Sequence, residues 1–136
     1  MRSVLALVIG LIAGAAQAQT PSDRAAIQTV IAQQLEAFQH DDAKAAFEKA
    51  SPMIQGVFGT PGNFIAMVRQ GYPPVYRPRQ TSFASLEQDD GRIIQKVELV
   101  GPDGHDYLAL YIMEQQPDGS WKINGCELTE SEKVGA

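Results

Sequence analysis

Apolar residues return along this chain with three different spacings, and each predicts a different kind of segment. From Val4 to Ala16 they are almost continuous, broken only by Gly10 and Gly14. Between residues 27 and 38, Ile27, Val30, Ile31, Leu35 and Phe38 return every three or four positions. That spacing predicts one amphipathic helix of about five turns. Beyond residue 79 the spacing falls to two, the alternation of a half-buried strand.

Polar residues mark where these segments begin and end. Thr20-Pro21, Ser51-Pro52 and Thr60-Pro61 each place a hydroxyl before a proline, which suits a helix N-cap followed by a residue that has no N–H to satisfy. Thr20 also has Asp23 three residues on, a capping-box variant that suits the helix dipole. His40-Asp41-Asp42 ends the first stripe, and a short helix from Asp42 to Ala50 is predicted, with Asp42 as its cap. A turn or two of helix is predicted over 52–58, and a further helix from Pro61 to Gln70, closed by Gly71 in the left-handed conformation. Tyr72-Pro73-Pro74-Val75-Tyr76-Arg77-Pro78 reads as an extended connector.

In the second half, Asp90-Gly91, Asp103-Gly104 and Asp118-Gly119 are hairpin signals about 13 and 15 residues apart. They predict four strands near 79–88, 92–101, 105–116 and 120–129, joined as a meander. In the second strand Ile93, Val97 and Leu99 share one face, while Arg92, Lys96 and Glu98 share the other. The third is apolar on both faces: Tyr107, Ala109, Tyr111 and Met113 alternate with Leu108, Leu110 and Ile112. It is therefore expected at the centre of the sheet, with its second face covered, a second subunit being one candidate.

Composition changes this picture at its start. Met1-Arg2-Ser3, the apolar run and Ala16-Gln17-Ala18 together form a cleavable signal peptide, cut between Ala18 and Gln19. The run is too short to cross a bilayer, which takes roughly 20 residues. The domain expected is 19–136, periplasmic or secreted, without a stable membrane anchor after cleavage. Of the 136 residues 44% are hydrophobic, a share inflated by the leader. The net charge of −5, from 11 Lys+Arg against 16 Asp+Glu, argues against nucleic acid or anionic lipid as a partner. A single cysteine permits no internal disulfide, so packing must hold the fold.

Helices packed on one face of a curved four-stranded antiparallel meander make a two-layer α+β domain. A long first helix across such a sheet resembles the nuclear-transport-factor-2-like, or cystatin-like, cone. More closely, Phe58-Gly59-Thr60-Pro61-Gly62-Asn63-Phe64, then Met67-Val68-Arg69-Gln70-Gly71-Tyr72-Pro73-Pro74-Val75, and the ending Trp121-Lys122-Ile123-Asn124-Gly125-Cys126-Glu127-Leu128, resemble an exported bacterial family, the domain of unknown function 4864. The resemblance spans residues 22–130. It implies the fold and an exported context, and brings no catalytic residues across. The wider cone superfamily holds both enzymes and binding domains, so it does not decide activity.

A cone leaves a mouth between its helices and its sheet. The candidates to line an apolar pocket there are Phe38, Phe64, Tyr72, Tyr76, Tyr107, Tyr111 and Trp121, with core packing as the alternative. Glu114 joins them, because it shares a face with Leu108, Leu110 and Ile112; burial there would raise its pKa, whereas the strand's open end would leave it in water.

Other polar groups carry a chemical and a structural alternative each. His40-Asp41-Asp42 offers a cation site or a general base, or else a helix terminus with its caps. His105-Asp106 follows a turn and suits an exposed hairpin end. Cys126 offers a thiol without a neighbour to activate it, and packs as a small hydrophobe. Arg77-Pro78-Arg79, with Arg69 and Arg92, suits either a small anion or a protected strand edge.

No motif calls for a cofactor or a metal. The expectation is a non-enzymatic domain that binds a small, partly apolar ligand or a protein partner, with a homodimer through the sheet. The alternative is a small cone-fold isomerase, dehydratase or hydrolase using Tyr111, Glu114 or the His40–Asp42 cluster.

Overall fold

The computed structural model describes residues 19–131, so the signal peptide over 1–18 lies outside the described residues. Five helices come first, α1 Pro21–Gln39, α2 Ala43–Glu48, α3 Pro52–Phe58, α4 Pro61–Gly71 and α5 Pro73–Tyr76. Four strands follow, β1 Gln80–Asp89, β2 Arg92–Val100, β3 Asp106–Gln115 and β4 Trp121–Glu130. They pair antiparallel in chain order, β1-β2-β3-β4. The domain is α+β, helices on one side of an open meander, as the periodicities predict.

The caps stand where hydroxyl–proline pairs foretell them. Thr20 Oγ1 accepts from the Asp23 N–H at 3.0 Å while the Asp23 carboxylate accepts from the Thr20 N–H at 3.2 Å, a complete capping box. Ser51 and Thr60 cap α3 and α4, and Asp42 caps α2. Ile27, Ile31, Leu35 and Phe38 of α1 are buried, and Gln34 is buried on the same stripe.

Two expectations about the connector are corrected. Residues 73–76 form a short helix, not an extended strand, because Pro73 and Pro74 fill its first two positions, where no N–H is required. Gly71 is not left-handed; it is the last residue of α4, and the break falls at Tyr72, φ −134° and ψ 54°. A residue before proline is pushed out of the α region, so Pro73 itself ends α4. The left-handed glycine stop occurs one helix earlier, at Gly59 after α3, φ +82°.

The β1–β2 hairpin turns on Asp90 and Gly91, both at positive φ, as a tight two-residue turn demands. Ladder registers put Phe83, Val97, Ala109 and Leu128 in one row across the inner face, and Leu86, Gln95, Tyr111 and Cys126 in another. β3 is internal, as expected. Its inner face (Ala109, Tyr111, Met113) is buried against the helices, while Leu108, Leu110 and Ile112 lie half-buried on the outer face. Val97, Leu99, Ala109, Met113, Trp121 and Ile123 meet the α1 stripe in a single core.

Two bulges bend the sheet. In β1 the register slips between Phe83 and Leu86, and the buried Gln95 side chain donates to the freed carbonyls of Ala84 at 3.0 Å and Ser85 at 3.3 Å. In β4 it slips where Ile112 and Met113 meet Gly125 and Ile123, leaving Asn124 unpaired. The Asn124 Oδ1 accepts from the buried Ser51 hydroxyl at 2.6 Å. Bulges increase local twist and bend the strand that carries them. The second ties β4 to the start of α3, where Ser51 N donates to Ile123 O and Ile123 N to Lys49 O, each at 2.8 Å.

Candidate functional site

A cavity of about 380 Å³ opens between the helices and the β3–β4 half of the sheet. That volume lies within the range of small-molecule sites, roughly 300–1,000 Å³. Phe38 comes from the end of the α1 stripe, Ile54 and Phe58 from α3, Phe64, Met67 and Val68 from α4; Tyr111, Ile123 and Cys126 come from the sheet. Phe64 is the hub of the wall. Its ring centroid stands 6.2 Å from Phe38, 5.6 Å from Phe47 and 5.8 Å from Phe58, so four aromatic side chains stiffen one another.

α3 is the unusual element of this wall. Its sequence, PMIQGVF, is largely apolar, yet none of its residues is buried. Ile54 and Phe58 line the cavity, while Met53 and Val57 are 53% and 66% exposed.

Few polar groups reach the lining, and most are committed. Tyr72 Oη donates to Cys126 O at 3.1 Å, joining the α4–α5 junction to β4. Gln34 Nε2 donates to Ala46 O at 3.1 Å. Tyr111 Oη differs: it is buried and has no hydrogen-bond partner among the described residues. Burial raises the Tyr111 phenol well above its ordinary pKa, so it stays neutral. Burial likewise pushes the Cys126 thiol up to about 12, which makes it inert as a nucleophile near neutral pH. Glu127, exposed, is the carboxylate on the lining, and no Lys, Arg or His lines it.

Phe38, Phe64, Tyr72 and Tyr111 of the expected pocket set therefore line one cavity, and four others stand elsewhere. Tyr76 Oη donates to the Asp41 carboxylate, and its ring lies under Arg77, 4.2 Å from guanidinium carbon to centroid. Tyr107 Oη donates to Asp103 Oδ2 at 2.7 Å across the β2–β3 turn, and that bond raises its pKa to about 12. Trp121 is buried in the core. Glu114 is exposed near the end of β3, its Oε1 accepting from Gln116 Nε2 at 3.1 Å, so of its two alternatives the open strand end is the one found.

The dense polar cluster serves the backbone. His40 Nδ1 is 3.0 Å from Glu36 O, Asp42 Oδ1 accepts from the Ala45 N–H at 3.1 Å, and the two Asp41 carboxylate oxygens accept from Arg77 Nη2 at 3.0 and 3.1 Å. Bonds from Tyr76 and Arg77 hold the Asp41 carboxyl below its ordinary pKa. Three consecutive residues thus point to three destinations. Arg79 Nη2 donates to Pro102 O at 2.7 Å, and His105 Nδ1 is 2.7 Å from Glu130 Oε2. Among the described residues no three His, Cys, Asp or Glu side chains are grouped to hold a metal ion, and no helix is long and apolar enough to cross a membrane.

Sequence pattern overlooked Gln34, Ile54, Phe58, Met67 and Val68 as lining residues. For Gln34, Ile54 and Phe58 a signal was present: Gln34 falls at the helical spacing of the α1 stripe, between Ile31 and Phe38, and residues 52–58 are largely apolar.

The family model described as domain of unknown function (DUF4864) matches residues 20–136. A solved structure, the crystal structure of an NTF-2 like protein of unknown function from Burkholderia xenovorans LB400, is 16% identical; the match covers 83% of this chain and 88% of that chain with a TM-score of 0.49. No curated protein matches the chain.

Proposed function

We propose that this chain, which belongs to the family described as domain of unknown function (DUF4864), is an exported domain that binds a small, partly apolar ligand without transforming it. The observation that carries this is the cavity of about 380 Å³ whose wall is built from apolar side chains of α1, α3, α4 and the sheet. Apolar concave sites with a few placed polar groups are the general form of small-molecule pockets. Export rests on the pattern of Met1 to Ala18, a basic start, an apolar run and a small-residue cleavage site.

Isomerase, dehydratase or hydrolase chemistry would need a second polar group converging on Tyr111. Glu114 and the His40–Asp42 cluster, the candidates for that part, are engaged elsewhere.

Native mass spectrometry of the protein recovered from the periplasm of its own cell tests this. One small molecule bound per chain, released by organic solvent, is the expected result. Empty protein that also fails to bind the uncharged fluorophore N-phenyl-1-naphthylamine would overturn it.

A second reading concerns the outer sheet face. Ile94 of β2 is buried there, and Leu108, Leu110 and Ile112 of β3 continue the apolar strip beside it. We read this strip as the contact of a homodimer. Light scattering at micromolar concentration should give twice the chain mass, and Leu110→Arg should halve it; a wild-type monomer sinks the idea.

A further inference from the structure

Tyr111 lies in the middle of β3 on the inner face, between Gln95 of β2 and Cys126 of β4. It is 1% exposed and lines the cavity, and its Oη is the one buried side-chain polar atom among the described residues that has no hydrogen-bond partner. A dry, unpaired hydroxyl costs more than phenylalanine would at the same place. The oxygen thus carries hydrogen-bonding capacity that no described residue uses.

The neighbouring groups do not supply the partner. The Tyr72 hydroxyl donates to Cys126 O, the Gln34 amide nitrogen donates to Ala46 O, and the Cys126 thiol is a weak hydrogen-bonding group. A neutral phenol is foremost a donor, so what it lacks is an acceptor.

Charge narrows the class of molecule. An anion such as a carboxylate or phosphate would enter with no Lys, Arg or His on the lining to meet it, and with Glu127 nearby. Desolvating an uncompensated charge is prohibitive in such a wall. An ammonium would bring no acceptor to Tyr111. The volume suits on the order of a dozen non-hydrogen atoms.

We infer that the cavity selects an uncharged, mainly apolar molecule bearing one carbonyl or hydroxyl oxygen, and that Tyr111 Oη donates its proton to that oxygen. This rests on the ligand-binding function proposed above and names the chemistry it would recognise.

Three probes of nearly equal shape test it: 2-acetylnaphthalene, its hydrocarbon isostere 2-isopropenylnaphthalene, and 2-naphthoate. Each is titrated into the purified protein and into Tyr111→Phe, with NMR shifts of the Cys126 and Gly125 amides as the readout. The ketone should bind the wild type about tenfold more tightly than the hydrocarbon, with the carboxylate weakest. In Tyr111→Phe the ketone should lose that advantage while the hydrocarbon binds as before. The variant removes only an unpaired oxygen, so it should fold; an unchanged hydrocarbon affinity also shows the cavity intact.

Equal binding of ketone and hydrocarbon to the wild type, a ketone preference that survives in Tyr111→Phe, or tightest binding by 2-naphthoate would each overturn the inference while leaving the cavity a binding site. Binding of none of the three, at any concentration they reach in water, would overturn the binding function as well.

Discussion

The turn between α1 and α2 and the cavity behind β3 make opposite uses of polar atoms. At the turn, Asp41 sits at positive φ on the surface and accepts from Tyr76 and from Nη2 of the Arg77 guanidinium, whose Nη1 donates to Phe38 O. These bonds fasten the end of α1 to the segment that leads into the sheet. At the cavity wall the hydroxyl of one lining tyrosine is buried and unpaired. The turn is the richer in chemistry-bearing residues and does structural work; the cavity is the poorer, and its lining includes the one tyrosine whose oxygen no described residue meets. Density of polar side chains is therefore a weaker guide to a binding site than hydrogen-bonding capacity left over.

The strongest way to break this comparison is through Cys126. With the thiol raised to about 12 from an ordinary 9.0, the thiolate population near neutral pH falls about a thousandfold. The sign is simple, because burial disfavours the charged form. Reaction with an aromatic disulfide reagent at pH 8 should therefore be slower in native than in unfolded protein by about three orders of magnitude. Native and unfolded rates within tenfold of each other would mean that this side of the cavity is wet.

Next comes the wall itself. Phe64→Ala removes the ring on which Phe38, Phe47 and Phe58 converge, at a site only 6% exposed. Large-to-small changes of this kind cost about 3–5 kcal/mol. Urea unfolding should show the loss as a lower midpoint with an unchanged slope. A loss below about 1 kcal/mol would indicate that the four rings do not support one another.

The same substitution at two tyrosines sharpens the contrast between paired and unpaired hydroxyls. Tyr72→Phe deletes a made bond to Cys126 O and should lower stability by about 0.5–1.5 kcal/mol. Tyr111→Phe deletes an unmade one and should leave stability unchanged or raise it. Equal losses from the two in parallel denaturant titrations would show that Tyr111 Oη has a partner after all.

How much of this was legible in the sequence follows from what a repeat can encode. The hydroxyl–proline caps, the α1 stripe and the Asp-Gly hairpins are local, so helices α1 to α4, the four strands and the strand order were readable. The short helix α5 was hidden because consecutive prolines signal both an extended connector and a helix first turn, and only the packing of Val75 and the bond of Tyr76 to Asp41 decide between them. For the site, alternation gives the face of a residue but not its position along the strand. Tyr107, Tyr111 and Trp121 all point inward, yet Trp121 pairs with Gln115, so Tyr107 and Trp121 lie at opposite ends, each four residues from Tyr111 along the ladder. At about 3.3 Å per residue that is roughly 13 Å, enough to take both out of the cavity. Glu114 shares the outer face with Leu108, Leu110 and Ile112, but its place one residue from the end of β3 leaves it in water.

The smallest expected effect belongs to the turn. Asp41 has its carboxyl pKa lowered below the ordinary 3.8, first by the hydrogen bond from Tyr76 and then by Arg77. A carboxyl depressed in the folded state adds stability above its unfolded pKa and loses it as the pH falls through the folded value. Asp41→Asn keeps a residue that tolerates positive φ and removes the charge. It should therefore be less stable than wild type at pH 7, and the two should converge as the pH drops below 3.8. Because the pair is exposed, solvent and salt screen it, and the difference should shrink further in 1 M NaCl. Thermal unfolding of both proteins between pH 7 and pH 2.5 measures this; parallel curves across that range would mean that Asp41 holds α1 to Tyr76 and Arg77 by geometry alone, with its charge contributing nothing.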